Sequence, residues 1–388
     1  MYLLLLAVIY LAFISLGLPD SLLGSAWPTL HAVFNVPISY MGIVSMIISG
    51  GTILSSLLTD RVTKKFGTGK VTAVSVLLTA LALFGFSTAG AFYHLCLWAI
   101  PYGFGAGAID ASLNNYVALH YSSRHMSWLH CFWGVGTVIS PYIMSLALTH
   151  SVWNNGYRTV SYIQLVIFLM LLLALPLWKK MPGKTEEKSD AKPLGLIGAF
   201  KTKGVPQILL AFTAYCSAEA TAMLWASSYL EVKIGLGKEA AAAFGSLFFI
   251  GMTVGRFLSG FIADRLGDRR LIRYGAYLAL TGAILIAIPA KAAVIIGFIV
   301  FGLGCAPIYP SIIHSTPATF GEEKSQGIIG VQMASAYFGS TFMPPLFGLI
   351  ANHISISLMP LYLGGFVVLM LIMISACPVG KEKEQIIH

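Results

Sequence analysis

Gly251–Arg270 reads GMTVGRFLSGFIADRLGDRR, an apolar helix-forming run that leads straight into Asp264-Arg265 and then a short basic loop. An earlier stretch, Gly50–Lys65, GGTILSSLLTDRVTKK, has the same design, with Asp60-Arg61 standing 204 positions ahead of Asp264-Arg265. A second apolar run starts just beyond each loop. Each unit predicts two membrane-spanning helices joined by a tight, charged turn on one side of a bilayer. Its recurrence predicts that one half of the chain repeats the other.

Of the 388 residues, 57% are hydrophobic and only 10% charged, and the mean hydropathy is +0.81. That excludes a water-soluble domain of this length. A helix crossing the hydrocarbon core needs roughly 20 apolar residues, and twelve such runs are present, near 2–32, 38–60, 69–90, 92–120, 125–150, 158–180, 205–231, 239–263, 270–289, 291–318, 325–352 and 356–378. They are continuously apolar, whereas the strands of a membrane barrel alternate over about ten residues. The expected fold class is an all-α membrane protein with twelve transmembrane helices. Six spans precede the longest polar stretch and six follow. This gives a bundle at 1–181, a Lys-rich cytoplasmic linker at 182–204 and a second bundle at 205–388.

The net charge of +9 is a matter of placement. Nineteen of the 24 Lys and Arg lie in the loops after spans two, four, six, eight and ten and in the C-terminal tail; the opposite loops hold only Arg158, Lys233, Lys238 and Lys291. By the positive-inside rule both termini are expected in the cytoplasm. The basic balance then reflects topology, with at most a weak pull on anionic lipid, and no nucleic-acid partner is implied. The five cysteines, Cys96, Cys131, Cys216, Cys305 and Cys377, fall within apolar runs with neither metal-ligand spacing nor a disulfide framework. Tyr2–Ala12 resembles a signal-peptide core but lacks a small-residue cleavage pattern, so it reads as the first span.

The repeat extends past the charged turns. Leu11-Ala12-Phe13 returns as Leu210-Ala211-Phe212, which sets Asp20 against Glu219. Gly103, Gly105 and Ser112 match Gly302, Gly304 and Ser311, setting Asp110 against Tyr309, and Gly136 and Pro141 match Gly339 and Pro344. Offsets of 199 to 204 hold for four helix pairs, which indicates two pseudo-symmetric six-helix halves of parallel topology.

Twelve spans in a 6+6 arrangement, with a G…DR…K/R loop after spans two and eight, resemble the major facilitator superfamily over the whole chain. Within it the sequence is similar to the fucose permease and glucose/galactose permease branch of sugar–cation symporters. The residues that carry this match are Pro19-Asp20-Ser21-Leu22-Leu23, Ile109-Asp110-Ala111-Ser112-Leu113-Asn114, Ala218-Glu219 through Trp225 to Tyr229-Leu230, and Gly304-Cys305-Ala306-Pro307-Ile308-Tyr309-Pro310. The resemblance implies a secondary transporter, not an enzyme, that works as a monomer in the plasma membrane. It also implies that Asp60, Arg61, Asp264, Arg265 and Arg269 form breakable gating contacts at the cytoplasmic helix ends.

Three acids, Asp20, Asp110 and Glu219, lie well inside expected spans, where a charge costs roughly 2.5–3.5 kcal/mol even on the lenient insertion scale. Burial disfavours the charged form, so such acids can take up and release a proton; the plainer alternative is a hydrogen bond to a neighbouring helix. Two stripes set them among small or polar residues, Asp20, Gly24, Trp27 and His31 on span one and Gly103, Gly107, Asp110 and Asn114 on span four. The resemblance assigns proton coupling to the acids of spans one and four, the latter an Asp where the branch has Glu. Pro19 removes the amide that would bond the Ser15 carbonyl, so span one should bend beside Asp20.

Recognition of a small polyhydroxylated solute needs amides, imidazoles and aromatic faces near mid-membrane. Candidates are Trp27, Asn114, Asn115, His130, Trp133, Trp225, Tyr309, Gln332 and Tyr337. Trp98, Trp153 and Trp178, near span ends, read as interfacial anchors, and Arg256 as a structural residue that snorkels or pairs across helices. Without a phosphate-cradling glycine loop or a metal-ligand cluster, no nucleotide, metal or other cofactor is expected. The expected function is proton-coupled symport of a monosaccharide or similar small solute into the cell. Sodium is an alternative coupling ion. The alternatives to symport are a proton-driven exporter of drugs or metabolites and a non-transporting receptor on the same fold.

Overall fold

The computed structural model describes residues 2–37, 40–178, 194–236 and 247–377. Most of the expected linker, the start of span eight at 239–246, Lys238 and the C-terminal tail lie outside the described residues. No strand occurs among those described. The helices are α1 Tyr2–Asp20, α2 Leu22–Val33, α3 Met41–Phe66, α4 Thr68–Ser87, α5 Phe92–His120, α6 Ser123–His150, α7 Trp153–Trp178, α8 Gly195–Lys201, α9 Val205–Val232, α10 Leu247–Leu266, α11 Asp268–Ala287, α12 Lys291–Cys305, α13 Ile308–His314, α14 Thr316–Phe320, α15 Glu322–Ile350 and α16 Met359–Ala376. Counting α1 with α2 and α12 with α13, they make twelve long passes, the fold class read from the sequence. Two compact units emerge, one of residues 1–116 and 129–195, the other of 117–128 and 196–388. The expected linker carries the short helix α8 at its C-terminal end.

In the first unit the opening pass breaks where Pro19 predicts. α1 stops at Asp20 and α2 restarts at Leu22. The Ser15 carbonyl, deprived of its amide donor, accepts instead from Gln164 Nε2 on α7 at 2.7 Å, and Gln164 Oε1 accepts from Thr79 Oγ1 on α4 at 2.7 Å. An unserved buried carbonyl would cost about 1–3 kcal/mol; here α7 serves it, through a side chain that α4 holds in place.

The span expected at 291–318 is not continuous. It divides into α12, α13 and α14, because Pro307, Pro310 and Pro317 cannot donate to the preceding turns. The Cys305 carbonyl at the first break accepts from the Tyr215 hydroxyl at 3.0 Å.

The repeated glycines are helix crossings. A methyl on Gly103 would collide with the Ile48 carbonyl of α3, and one on Gly107 with that of Thr52. The span-four stripe thus packs on α3, where Ser55 Oγ donates to the Phe104 carbonyl at 2.5 Å. In the second unit Gly302 of α12 meets the Phe248 carbonyl of α10 in the same way. Small residues let backbones approach this closely, the usual device where lipid supplies no hydrophobic drive.

Two of the three tryptophans read as interfacial anchors are packed inside instead. Trp153 is 6% exposed in the hydrophobic core of the first unit, against Phe34 and Tyr157. Trp178 is 9% exposed, lying over Gly69 and edge-on to Tyr116. Glycine at 69 leaves room for the indole, which a position count cannot reveal. Trp98 is exposed, in keeping with the sequence reading.

Candidate functional site

Asp20 stands at the break between α1 and α2, and its side chain is exposed. The Tyr102 hydroxyl of α5 donates to its Oδ1 at 2.9 Å, and the Trp133 indole of α6 donates to its Oδ2 at 2.8 Å. Next to it, Ser21 Oγ donates to the Thr137 carbonyl at 2.6 Å and meets Ser140 Oγ at 2.8 Å. Three helices converge on one carboxyl group.

A second polar group in the same unit is closed. Asp110, Asn114, Asn115 and His130 are 4%, 0%, 6% and 5% exposed. Asn114 Nδ2 donates to the Asp110 carbonyl at 2.9 Å and to Asp110 Oδ1 at 2.7 Å. Its Oδ1 is therefore the acceptor that faces His130 Nε2 at 3.1 Å, so that nitrogen carries a hydrogen. The Phe13 ring stands edge-on to the imidazole. Asp110 thus communicates with α6 through Asn114.

The stripe read along span one does not survive the break at Ser21. Gly24 is open, with free space where a Cβ would stand, while Trp27 is 2% exposed in the hydrophobic core, edge-on to Phe92. The helical register that joined Asp20 to Trp27 ends where α1 ends, so Trp27 leaves the set of lining candidates.

In the second unit Glu219 of α9 pairs with Arg256 of α10 at 3.1 Å, the side chains being 13% and 6% exposed. Tyr309 is half-buried; its ring tilts against Phe212, and its hydroxyl meets Met333 Sδ at 3.2 Å. Tyr337 is half-buried as well. Trp225 donates its indole N–H to the Pro344 carbonyl at 3.0 Å and lies over Gly348, locking α9 to α15. Gln332 is fully buried and accepts from Thr316 Oγ1 at 3.0 Å, so it ties α14 to α15 and does not line an open surface. The cause is the repeat itself. Asn114 with His130 and Thr316 with Gln332 are pairs of equal separation, 16 residues, at matching places.

The two charged turns differ. Asp60 is 4% exposed, bound to Lys64 at 3.2 Å and accepting from the Leu194 amide at 3.0 Å. It is buried where the chain at Leu194, entering α8, meets it. Arg61 beside it is exposed. Asp264 lies within the second unit, where Arg124 holds it through Nε at 2.9 Å and Nη2 at 2.6 Å, with the Arg124 amide and Ser122 Oγ each at 3.2 Å. Arg265 is exposed and Arg269 half-buried. Arg124 and Tyr102 escaped the sequence reading. Arg124 is the lone basic residue of its loop, and Tyr102 is one aromatic residue in an apolar run.

No group of His, Cys, Asp and Glu suited to a metal occurs among the described residues.

Comparison with known proteins supplies the relationship. The model of the Major Facilitator Superfamily matches residues 9–294 and again 208–385. The cis,cis-muconate transport protein of Acinetobacter baylyi is 23% identical over 388 residues, covering 87% of this chain and 92% of that one. The glucose/mannose transporter GlcP of Bacillus subtilis is 21% identical over 360 residues, covering 90% and 88%. The crystal structure of the E. coli fucose:proton symporter FucP, solved as a variant, superposes with a TM-score of 0.78 at 16% identity, covering 97% of this chain and 98% of that one. Repeat, twelve-pass fold and family match lead to one conclusion: the chain is a multi-pass membrane protein that belongs to the Major Facilitator Superfamily.

Proposed function

We propose that the protein is a secondary active symporter that carries a monosaccharide or a similar small neutral solute with a proton, by alternating access, in the plasma membrane with both termini in the cytoplasm. The observation that carries this reading is the setting of Asp20. Its Oδ1 faces a hydroxyl that both donates and accepts, and its Oδ2 faces an indole that only donates. When the carboxyl takes a proton on Oδ1, the Tyr102 hydroxyl turns to accept it while Trp133 keeps donating to Oδ2. Asp20 can then change charge with both partners served, as a coupling group must. Trp133 also offers an aromatic face to the apolar side of a sugar ring.

Asp110 is the second coupling group of the proposal. Its charge reaches His130 through Asn114, so its proton and the α6 imidazole are linked without Asp110 touching cargo. Glu219 belongs to the scheme as the counter-charge of Arg256. Because that guanidinium is already paired, a neutral solute fits better than an anion, although one relative is named for cis,cis-muconate. FucP and GlcP, named for fucose and for glucose and mannose, point the same way.

The test is uptake of labelled hexoses and pentoses by reconstituted vesicles under an imposed acid-outside gradient, in sodium-free buffer. Accumulation above equilibrium is expected in the wild type, and a protonophore should abolish it. Asp20→Asn and Asp110→Asn should lose accumulation while exchange of sugar for sugar persists. Unchanged accumulation in both variants removes these acids from the mechanism. Transport of muconate but of no sugar replaces the cargo, a requirement for sodium replaces the ion, and uncoupler-sensitive dye efflux replaces symport with export.

A further inference from the structure

Asp268 and His314 take no part in the reading above. Asp268 opens α11 and His314 closes α13. His314 Nδ1 lies 2.6 Å from Asp268 Oδ2, and its Nε2 lies 2.9 Å from the carbonyl oxygen of Tyr121. Ser123 Oγ donates to Asp268 Oδ1 at 2.5 Å. Residues 121–123 belong to the segment 117–128, so every group named is part of the second unit.

Counting donors decides the proton content. A carbonyl only accepts, and so does a carboxylate, whereas a neutral imidazole has a single N–H. Both contacts of the ring therefore need one proton more than neutral His and ionised Asp together carry. Imidazole is the stronger base of the two, so the extra proton makes an imidazolium that donates twice. The two side chains are 18% and 15% exposed, so bulk water does not freely replace a lost partner. Among the described residues, the charges facing the ring are the carboxylates of Asp268 and Asp264, the latter held by Arg124. His125, on the same turn, packs edge-on against Tyr121 and Trp128.

We infer that Asp268 and His314 form a proton-binding site separate from the acids within the spans, and that its proton fastens the turn at 121–124 to α11 and α13. Loss of the proton leaves one ring nitrogen as a lone pair facing an oxygen. Asp268 keeps its bond from Ser123, so the ring keeps one N–H and gives up one of its two oxygens. The carboxylate is the stronger acceptor, so the Tyr121 carbonyl is the one given up, and the turn keeps Ser123 on Asp268 together with Ser122 and Arg124 on Asp264. The site lies at the helix ends carrying the basic loops, so it responds to pH on that side, whatever the cargo.

The test uses the full-length protein in nanodiscs. Nitrogen NMR of the histidine rings, with His314 assigned by its absence in His314→Gln or His314→Asn, reports both ring nitrogens directly. Amide hydrogen exchange at 119–126, corrected for the intrinsic pH dependence, reports the turn. Both His314 nitrogens are expected to be protonated while the turn is protected. As pH rises the ring should lose its proton and the amides should exchange about tenfold faster, the scale of one charge-assisted bond. His314→Gln and Asp268→Asn should flatten that dependence. A neutral ring in a single tautomer while the turn is protected overturns the inference, as does an unchanged pH dependence in His314→Gln. If the variants fail to fold, exchange in the wild type still decides: protection that stays constant across the titration of all its histidine rings overturns the inference too.

Discussion

The salt bridge between Glu219 and Arg256, 3.1 Å long with both side chains nearly closed to solvent, is where single residues weigh most. Two charges in a low-dielectric interior compensate one another, but removing one strands the other, at a cost of roughly 3–5 kcal/mol. Glu219→Gln should therefore lower the melting temperature in detergent markedly, whereas Glu219→Gln with Arg256→Met should recover most of the loss. If the single variant melts like the wild type, the pair is not a structural counter-charge. The acids were legible in the sequence because a carboxyl in an apolar run is conspicuous. Their partners were not, because Arg256 is 37 residues from Glu219 and Tyr102 is 82 from Asp20, separations that only tertiary packing resolves.

Packing between helices obeys the repeat more closely than any one side chain does. Gly103 and Gly302, matched by sequence offset, each meet a carbonyl of the helix two passes earlier, and Gly136 and Gly339 meet the carbonyls of Ile14 and Thr213. A pattern of small residues announces such crossings but not which neighbour they face, so the stripe through Asp110 did not name α3. The pass that begins at Lys291 also looked continuous, since hydropathy is blind to whether a proline breaks a helix or only bends it. Gly103→Val and Gly302→Val should each destabilise by about 1–3 kcal/mol through overpacking against backbone that cannot retreat. Gly24→Ala, with open space around it, should be silent in the same thermal assay. Comparable losses at all three positions would show that the crossings are not what fixes these glycines.

At the scale of the whole molecule, the placement of the basic residues makes the proposed orientation in the membrane testable helix by helix. α6 runs 28 residues from Ser123 to His150, about 42 Å at 1.5 Å per residue, which exceeds a hydrocarbon core of about 30 Å. The exposed residues just beyond its ends, Ser122 and Ser151, must then lie on opposite faces of the bilayer. Ser122 falls in a loop counted among the basic ones, which the proposed topology puts in the cytoplasm. In a background without native cysteines, Ser151→Cys should react with an impermeant maleimide added to intact cells, and Ser122→Cys only after the membrane is opened. A tag at either terminus should behave like Ser122→Cys, since an even number of passes returns the chain to its starting side. Labelling of both cysteines from outside would contradict the span between them. The reverse pattern would invert the topology, and with it the side on which Asp268 and His314 meet their proton.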